Sequence, residues 1–451
     1  MNRKATLIAL LLGIECLGAK LPRLSADQRA PARDFSFAQT SDSKTKATAK
    51  SPAKGLSAEQ KAAVAAIEKL GGKISYDKTG SVSGIDLRDQ RVLPDELSVL
   101  SEFPHLKTLV LWGPRITNAA LEKLAPLKDL TELDLDKCTG VKDAGLEHLT
   151  GLVNLRSISL RQASISDNAL TILKKLPKLE QLHLLYTRLS NEGLVELEHM
   201  PQVTLLDVRG CASITDAGLD HLKGLVNLKV LKLRNFGVTN AGLEKLKRLT
   251  KLRALAIEDS EGINDQGMAA LADMTGLEDI TLMRDGVSDQ GLKYLAKMKG
   301  LKRLSLRGCN SVAGAGLENL KSLGNLRTLI LSETQVNDDG LAHVAKFSKL
   351  ESLDLWHTKI SNSGLAHLKG FSNLKTLILK ETDIGDDGLK PLAGLTKLES
   401  LDLSGTKVTD AGLEHLAGLK NLKSLDLKIT KVTDEAVGKL KSRIGKLKVI
   451  R

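Results

Sequence analysis

From residue 106 to residue 422 the chain returns to the same apolar position every 24 or 25 residues. The position is Leu106, Leu130, Leu155, Leu179, Val203, Leu228, Leu252, Leu277, Leu301, Leu326, Leu350, Leu374, Leu398 and Leu422. Residues 398–421 read LESLDLSGTKVTDAGLEHLAGLKN, and the other copies vary on this theme. A fixed period of this size means that one small unit is stacked on itself, each copy touching its neighbours. That also resolves a difficulty of size. A compact domain of 451 residues would normally split, whereas a solenoid grows by addition. Aromatic residues make up only 2% of the chain, so the interior must be built from leucine.

One copy explains its own local structure. Leu401, Asp402 and Leu403 alternate apolar and polar, as a strand with one buried face does. Ser404-Gly405-Thr406 is turn chemistry. Val408 returns inward, and Thr409 or Asp410 offers an oxygen to cap a short helix carrying Leu413 and Leu416 to the core. Gly418 ends that helix, and Leu419 and Leu422 lead into the next strand. A lone copy would expose its leucines. Stacking buries them, at about 1.5–3 kcal/mol each relative to exposure. A glycine precedes the helical leucine in most copies, as at Gly145, Gly242, Gly364 and Gly412, with Ala120, Ala169 and Ala436 in three. Such a row predicts close approach between each helix and the neighbouring backbone.

The segments before the repeats have other characters. Arg3 and Lys4 precede a ten-residue apolar run, Ala5 to Ile14, and Leu17-Gly18-Ala19 offers small residues after it. Residues 1–19 therefore read as an export signal, with an apolar run too short to span a bilayer. Residues 20–55 lack apolar periodicity and read as a disordered basic linker with net charge +5, leaving +6 of the total +12 for residues 56–451. Residues 56–81 read as an N-terminal cap. Ser57 and Gln60 form a capping box, Val64, Ile67 and Leu70 share a helix face, Gly71-Gly72 stops it, and residues 73–77 alternate as a strand. The solenoid of about 15 repeats fills residues 82–451, opening on a degenerate copy with Ile85, Leu87 and Val92 in the core positions.

The cap AAVAAIEKLGGKI followed by V-T-D-x-G-L-x-x-L copies resembles exported bacterial leucine-rich-repeat proteins. The copies also resemble the cysteine-containing repeats of F-box substrate receptors. The resemblance covers residues 56–451 and implies a right-handed α/β solenoid, with a parallel concave sheet and short convex helices. It implies a protein-interaction scaffold. Export and a place in the envelope or outside the cell follow from the first likeness. A cytoplasmic substrate receptor follows from the second, although no F-box-like helical module precedes the repeats. An envelope structural protein is a third reading.

Cys138, Cys211 and Cys309 occupy one repeat position, in copies that are 25 residues long. They lie three and four copies apart, roughly 14 and 19 Å at the spacing of strands. A disulfide requires Cα atoms within about 7 Å, so these thiols are expected to be free and buried. His148, His221, His343, His367 and His415 share a helical position without a recurring cysteine or carboxylate, which reads as a solvent-facing slot rather than a metal site. No phosphate loop, H-E-x-x-H, C-x-x-C or G-x-S-x-G occurs, so no cofactor and no catalysis are expected.

The residue after each last strand leucine should point to the concave face. Both tryptophans, Trp112 and Trp356, fall in this column, with Arg161, Arg209, Arg234 and Arg307 between them. Tyr186 and His357 stand next to the column, and His183 lies on the strand before it. These nine residues are the expected binding surface, because Trp, Tyr and Arg dominate interface energetics. Asp134, Asp207, Asp354, Asp402 and Asp426 make the face mixed in sign. Mixed charge favours a protein or glycan partner over nucleic acid, which selects a basic stripe. Arg443, Lys446, Lys448 and Arg451 crowd the last strand with charge, so a monomer is expected.

Overall fold

The computed structural model describes residues 55–451. The expected export segment and the linker to residue 54 lie outside the described residues. Ser57 caps the helix Ala58–Lys69: its Oγ accepts from the Gln60 N–H at 3.1 Å, and Gln60 Oε1 accepts from the Ser57 N–H at 3.3 Å. Gln60 Nε2 also donates to the Glu102 carbonyl at 3.0 Å, which ties this helix to the first repeat. The strand Lys73–Tyr76 pairs antiparallel with Val82–Asp86. From Val82–Asp86 onward every strand pairs in parallel with its sequence neighbour, ending at Lys448–Ile450, in one 17-stranded sheet among the described residues.

Register follows the leucines. Leu401 pairs with Leu377 on one side and Leu425 on the other. The inward columns are completely buried, from Leu106, Leu109 and Leu111 to Leu398 and Leu403. Asn side chains close the stack on its other flank: Asn325, Asn373 and Asn421 each donate to a carbonyl of the preceding copy. Among the described residues, no helix is long and apolar enough to cross a membrane.

The helices are shorter and tighter than the sequence pattern alone implies. Asp410–Leu413 is one α turn that passes into a 3-10 turn, Glu414–Leu416. Gly291–Leu295 and Gly364–Leu368 are 3-10 throughout. So is Asp386–Gly394, where Pro391 has no N–H for an i→i−4 bond. Such short 3-10 pieces are a common way to connect elements.

Thr409 and Asp410 were alternatives for the cap, and the structure divides the work between them. Thr409 Oγ1 accepts from the Ala411 N–H at 3.4 Å. The Asp410 carboxylate instead reaches the next copy, accepting from the Thr433 N–H at 2.7 Å and the Thr433 hydroxyl at 2.8 Å. Asp386 treats Thr409 the same way, and Asp216 treats Thr239 the same way. These carboxylates also account for the glycine row. A Cβ on Gly412 would lie 2.5 Å from Asp386 Oδ1, and one on Gly242 would lie 2.3 Å from Asp216 Oδ1. The sequence pointed to close approach of backbone; at these positions the neighbour is a side-chain oxygen.

Candidate concave recognition surface

The strands that carry an aspartate end by a device that the alternation of residues does not reveal. The strand aspartate bends forward and accepts from the N–H two residues on. Asp354 holds Trp356 N at 2.9 Å, Asp402 holds Ser404 N at 2.9 Å and Asp134 holds Asp136 N at 3.0 Å. The acidic column is therefore largely strand-end architecture. The next residue enters the left-handed region, at φ 55° for Tyr186, 53° for His357 and 70° for Gly405. Its N–H then donates to the following copy: Tyr186 to the Arg209 carbonyl at 2.8 Å, His357 to Lys380 at 2.9 Å. That additional bond between copies compensates a conformation that non-glycine residues otherwise avoid.

Three of the nine expected residues come together around Trp356. The guanidinium of Arg307, two copies earlier, lies 4.9 Å from the indole centroid, and Lys380 Nζ lies at the same distance. The intervening Ser332 is small and fully buried, which leaves Arg307 room to reach over. Arg307 also donates to Glu333 Oε1 at 2.6 Å and 3.0 Å. The indole N–H donates to Glu381 Oε2 at 3.1 Å, and His357 Nδ1 lies 3.6 Å from the same carboxylate. Burial works to raise the pKa of Glu381, but the Trp356 indole and Lys380 hold it below the usual range. Trp356 is half-buried and His357 exposed, so a fixed ring and several charges are presented to solvent.

A second group is built on ion pairs. Arg209 grips Asp207 with two bonds of 3.0 and 2.9 Å and reaches Glu258 Oε1 at 2.8 Å. Burial opposes its charge, yet Asp207 and Glu258 raise its pKa above the ordinary value. Arg234 donates to the Tyr186 hydroxyl at 2.8 Å and pairs with Asp259 at 2.5 Å; Asp259 also holds Arg284. Burial of Asp259 is outweighed by these two arginines, which keep it a carboxylate. Tyr186 lies across Gly210, where a Cβ would meet its ring at 2.3 Å. His183 pairs in register with Asp207, and burial lowers its pKa, with the Asp207 charge opposing. Phe236, missed in the sequence, stands 70% exposed two residues beyond Arg234. Nothing in its repeat position marks it, because Asn235 takes the buried place and donates to the Val208 and Cys211 carbonyls.

Trp112 stands apart from both groups, with Lys137 Nζ 5.3 Å from its ring. Arg161 is half-buried in the same column. Glu258, Asp259, Arg284, Glu333 and Glu381 belong to the surface as much as the expected residues do, and only charge pairing across copies identifies them. The histidine slot on the convex side holds hydrogen-bond partners of glutamates: His221 Nδ1 lies 2.8 Å from Glu198 and His343 Nδ1 3.1 Å from Glu318. No cluster of three metal-ligating side chains occurs among the described residues.

Solved structures share this architecture. An internalin, InlF, from Listeria monocytogenes aligns with a TM-score of 0.52 at 20% identity, over 87% of this chain and 94% of its own. The mouse RP105/MD-1 complex aligns with a TM-score of 0.54 at 16% identity, over 83% of this chain and 73% of the matched chain. At these identities the likeness is one of fold. No curated protein matches the sequence. The family model described as leucine-rich repeat region matches residues 105–380 and 287–451. With fourteen copies in phase and one parallel sheet built from them, the chain belongs to the leucine-rich-repeat family.

Proposed function

We propose that this chain is an exported, non-catalytic recognition scaffold that binds a protein on its concave face, with the Trp356 group as the anchor. The observation that carries this reading is the half-buried indole fixed by Arg307, Lys380 and Glu381. A rigid aromatic flanked by arginine loses little freedom on binding and is the residue pairing on which interfaces concentrate their energy. The charges around it are balanced by partners in the chain, which suits a polar, mixed protein surface rather than a polyanion on this face.

The test is capture of the partner by cross-linking in the native cell, followed by titration with the purified partner. Replacing Trp356 and Arg307 by alanine should weaken the complex by at least about 2 kcal/mol, or roughly thirtyfold. Unchanged affinity would remove the concave face from the reading. Export has its own test: sequencing of the mature N-terminus should find residues 1 to about 19 removed, and an intact Met1 would contradict it.

A further inference from the structure

The two flanks of the solenoid carry opposite charge in its last copies. In its C-terminal third the helix-to-strand loops are residues 321–327, 345–351, 369–375, 393–399, 417–423 and 441–447. They hold ten lysines and two arginines against two acids, Glu351 and Glu399. The strand-to-helix turns on the other flank, residues 331–339, 355–363, 379–387, 403–411 and 427–435, hold five lysines against ten acids. Three of those acids, Asp338, Asp386 and Asp410, hold a backbone N–H of the next copy, so their place is fixed by the fold. Lys321, Lys375 and Lys423 pair with Glu318, Glu351 and Glu399, but the other lysines are not tied in that way. Lys346, Lys349, Lys369, Lys397, Lys420 and Lys446 are all exposed, and none forms an ion pair among the described residues. Lys349 and Lys397 rest on Asn325 and Asn373, and Lys420 on the Arg443 carbonyl.

We propose that this basic flank seats the solenoid edge-on against an anionic lipid bilayer, with the acidic flank turned away and the concave face left open at the side. Charge complementarity commits the occupant: each lysine near an anionic leaflet adds attraction, and the segregation of charge sets the orientation. The strip lacks what nucleic acid would use. Its aromatics, Phe347 and Phe371, are buried, which leaves no ring for base stacking, and lysines outnumber arginines, the residue suited to bidentate phosphate contacts. None of the exposed large apolar residues falls in these loops, so nothing enters the hydrocarbon and the attachment is electrostatic.

Full-length protein is mixed with vesicles of phosphatidylcholine, with and without phosphatidylserine, and sedimented at low and high ionic strength. Binding is expected only with phosphatidylserine and only at low salt. A variant with the six named lysines changed to glutamine should lose binding by roughly a hundredfold or more. Lys359→Gln, Lys407→Gln and Lys431→Gln together, on the acidic flank, should leave it intact. If the sixfold variant fails to fold by circular dichroism, the Lys346→Gln/Lys349→Gln pair must show a graded loss. No binding to anionic vesicles overturns the proposal. So does wild-type binding by the sixfold variant, which would assign attachment to the basic N-terminal segment. Tight binding to duplex DNA without vesicle binding overturns it as well.

Discussion

Asp285 occupies the turn slot in which other copies place threonine or cysteine. Thr334 and Thr406 use it to donate to the carbonyl of the last strand leucine, each at 2.6 Å. Asp285 Oδ1 accepts from the Ser260 N–H at 2.9 Å, while Oδ2 is buried without a partner. Burial pushes its pKa up to about 8. In the unfolded chain it is an ordinary carboxyl near 3.9. The folded state therefore favours the neutral acid. Its contribution to stability is complete below pH ~4 and is lost progressively as pH rises toward 8. Asp285→Asn should stabilise the fold by about 1–3 kcal/mol at pH 8, with the gain vanishing near pH 4. Denaturant unfolding at both pH values measures it; an equal gain at both would assign the effect to packing. Gly412→Ala should destabilise by roughly 1–3 kcal/mol through its clash with Asp386 Oδ1. In an Asp386→Ala background that penalty should shrink, as a double-mutant cycle would show.

At the scale of the repeat, the 25-residue copies lodge their extra residue in the turn, and in three of the four a cysteine points into the stack. Cys138, Cys211 and Cys309 are free and completely buried. Cys211 Sγ donates to the Leu184 carbonyl at 3.2 Å and lies 3.3 Å from the Thr187 hydroxyl, so it bonds backward to the preceding copy. Burial pushes the thiols of Cys138 and Cys309 up to about 12. Native protein at pH 8 should therefore label slowly at these three positions and fully once denaturant is added. Rapid native labelling of more than one thiol in the chain would contradict the burial, since only Cys16 lies outside the described residues.

For the whole molecule, the strand ladder fixes the separation of the two tryptophans. Trp112 follows the strand Thr108–Val110 and Trp356 follows Ser352–Asp354, ten strands later. At about 4.8 Å per strand this is roughly 48 Å of sheet. A small ligand can contact one ring, and only a macromolecule can contact both. Fluorescence of Trp112→Phe and Trp356→Phe variants separates the two signals. Direct quenching of both by one small molecule would mean the stacking is not as described. The separation also spreads the expected residues along the concave face. Arg307, Trp356 and His357 form one group, Tyr186, Arg209 and Arg234 another, and Trp112 stands alone.

The leucine period by itself determined the solenoid, its register and its buried columns, because an apolar residue at fixed spacing has one way to leave water. It also determined that the cysteines could not pair, since strand spacing is set by the backbone. Three features were decided only by tertiary structure. Tyr186 and His357 take left-handed conformations because an N–H must reach the next copy, a requirement that their residue types conceal. The aspartates after the turn look like caps, yet their oxygens serve the neighbouring copy, and the glycine row answers them. Arg209 and Arg234 read as binding-surface side chains, and stacking adds that each is held by a carboxylate one or two copies away. Periodicity records what each residue does within its own copy. Hydrogen bonds and charges between copies depend on which atoms stacking brings within about 3 Å, and that is decided only when the copies are assembled.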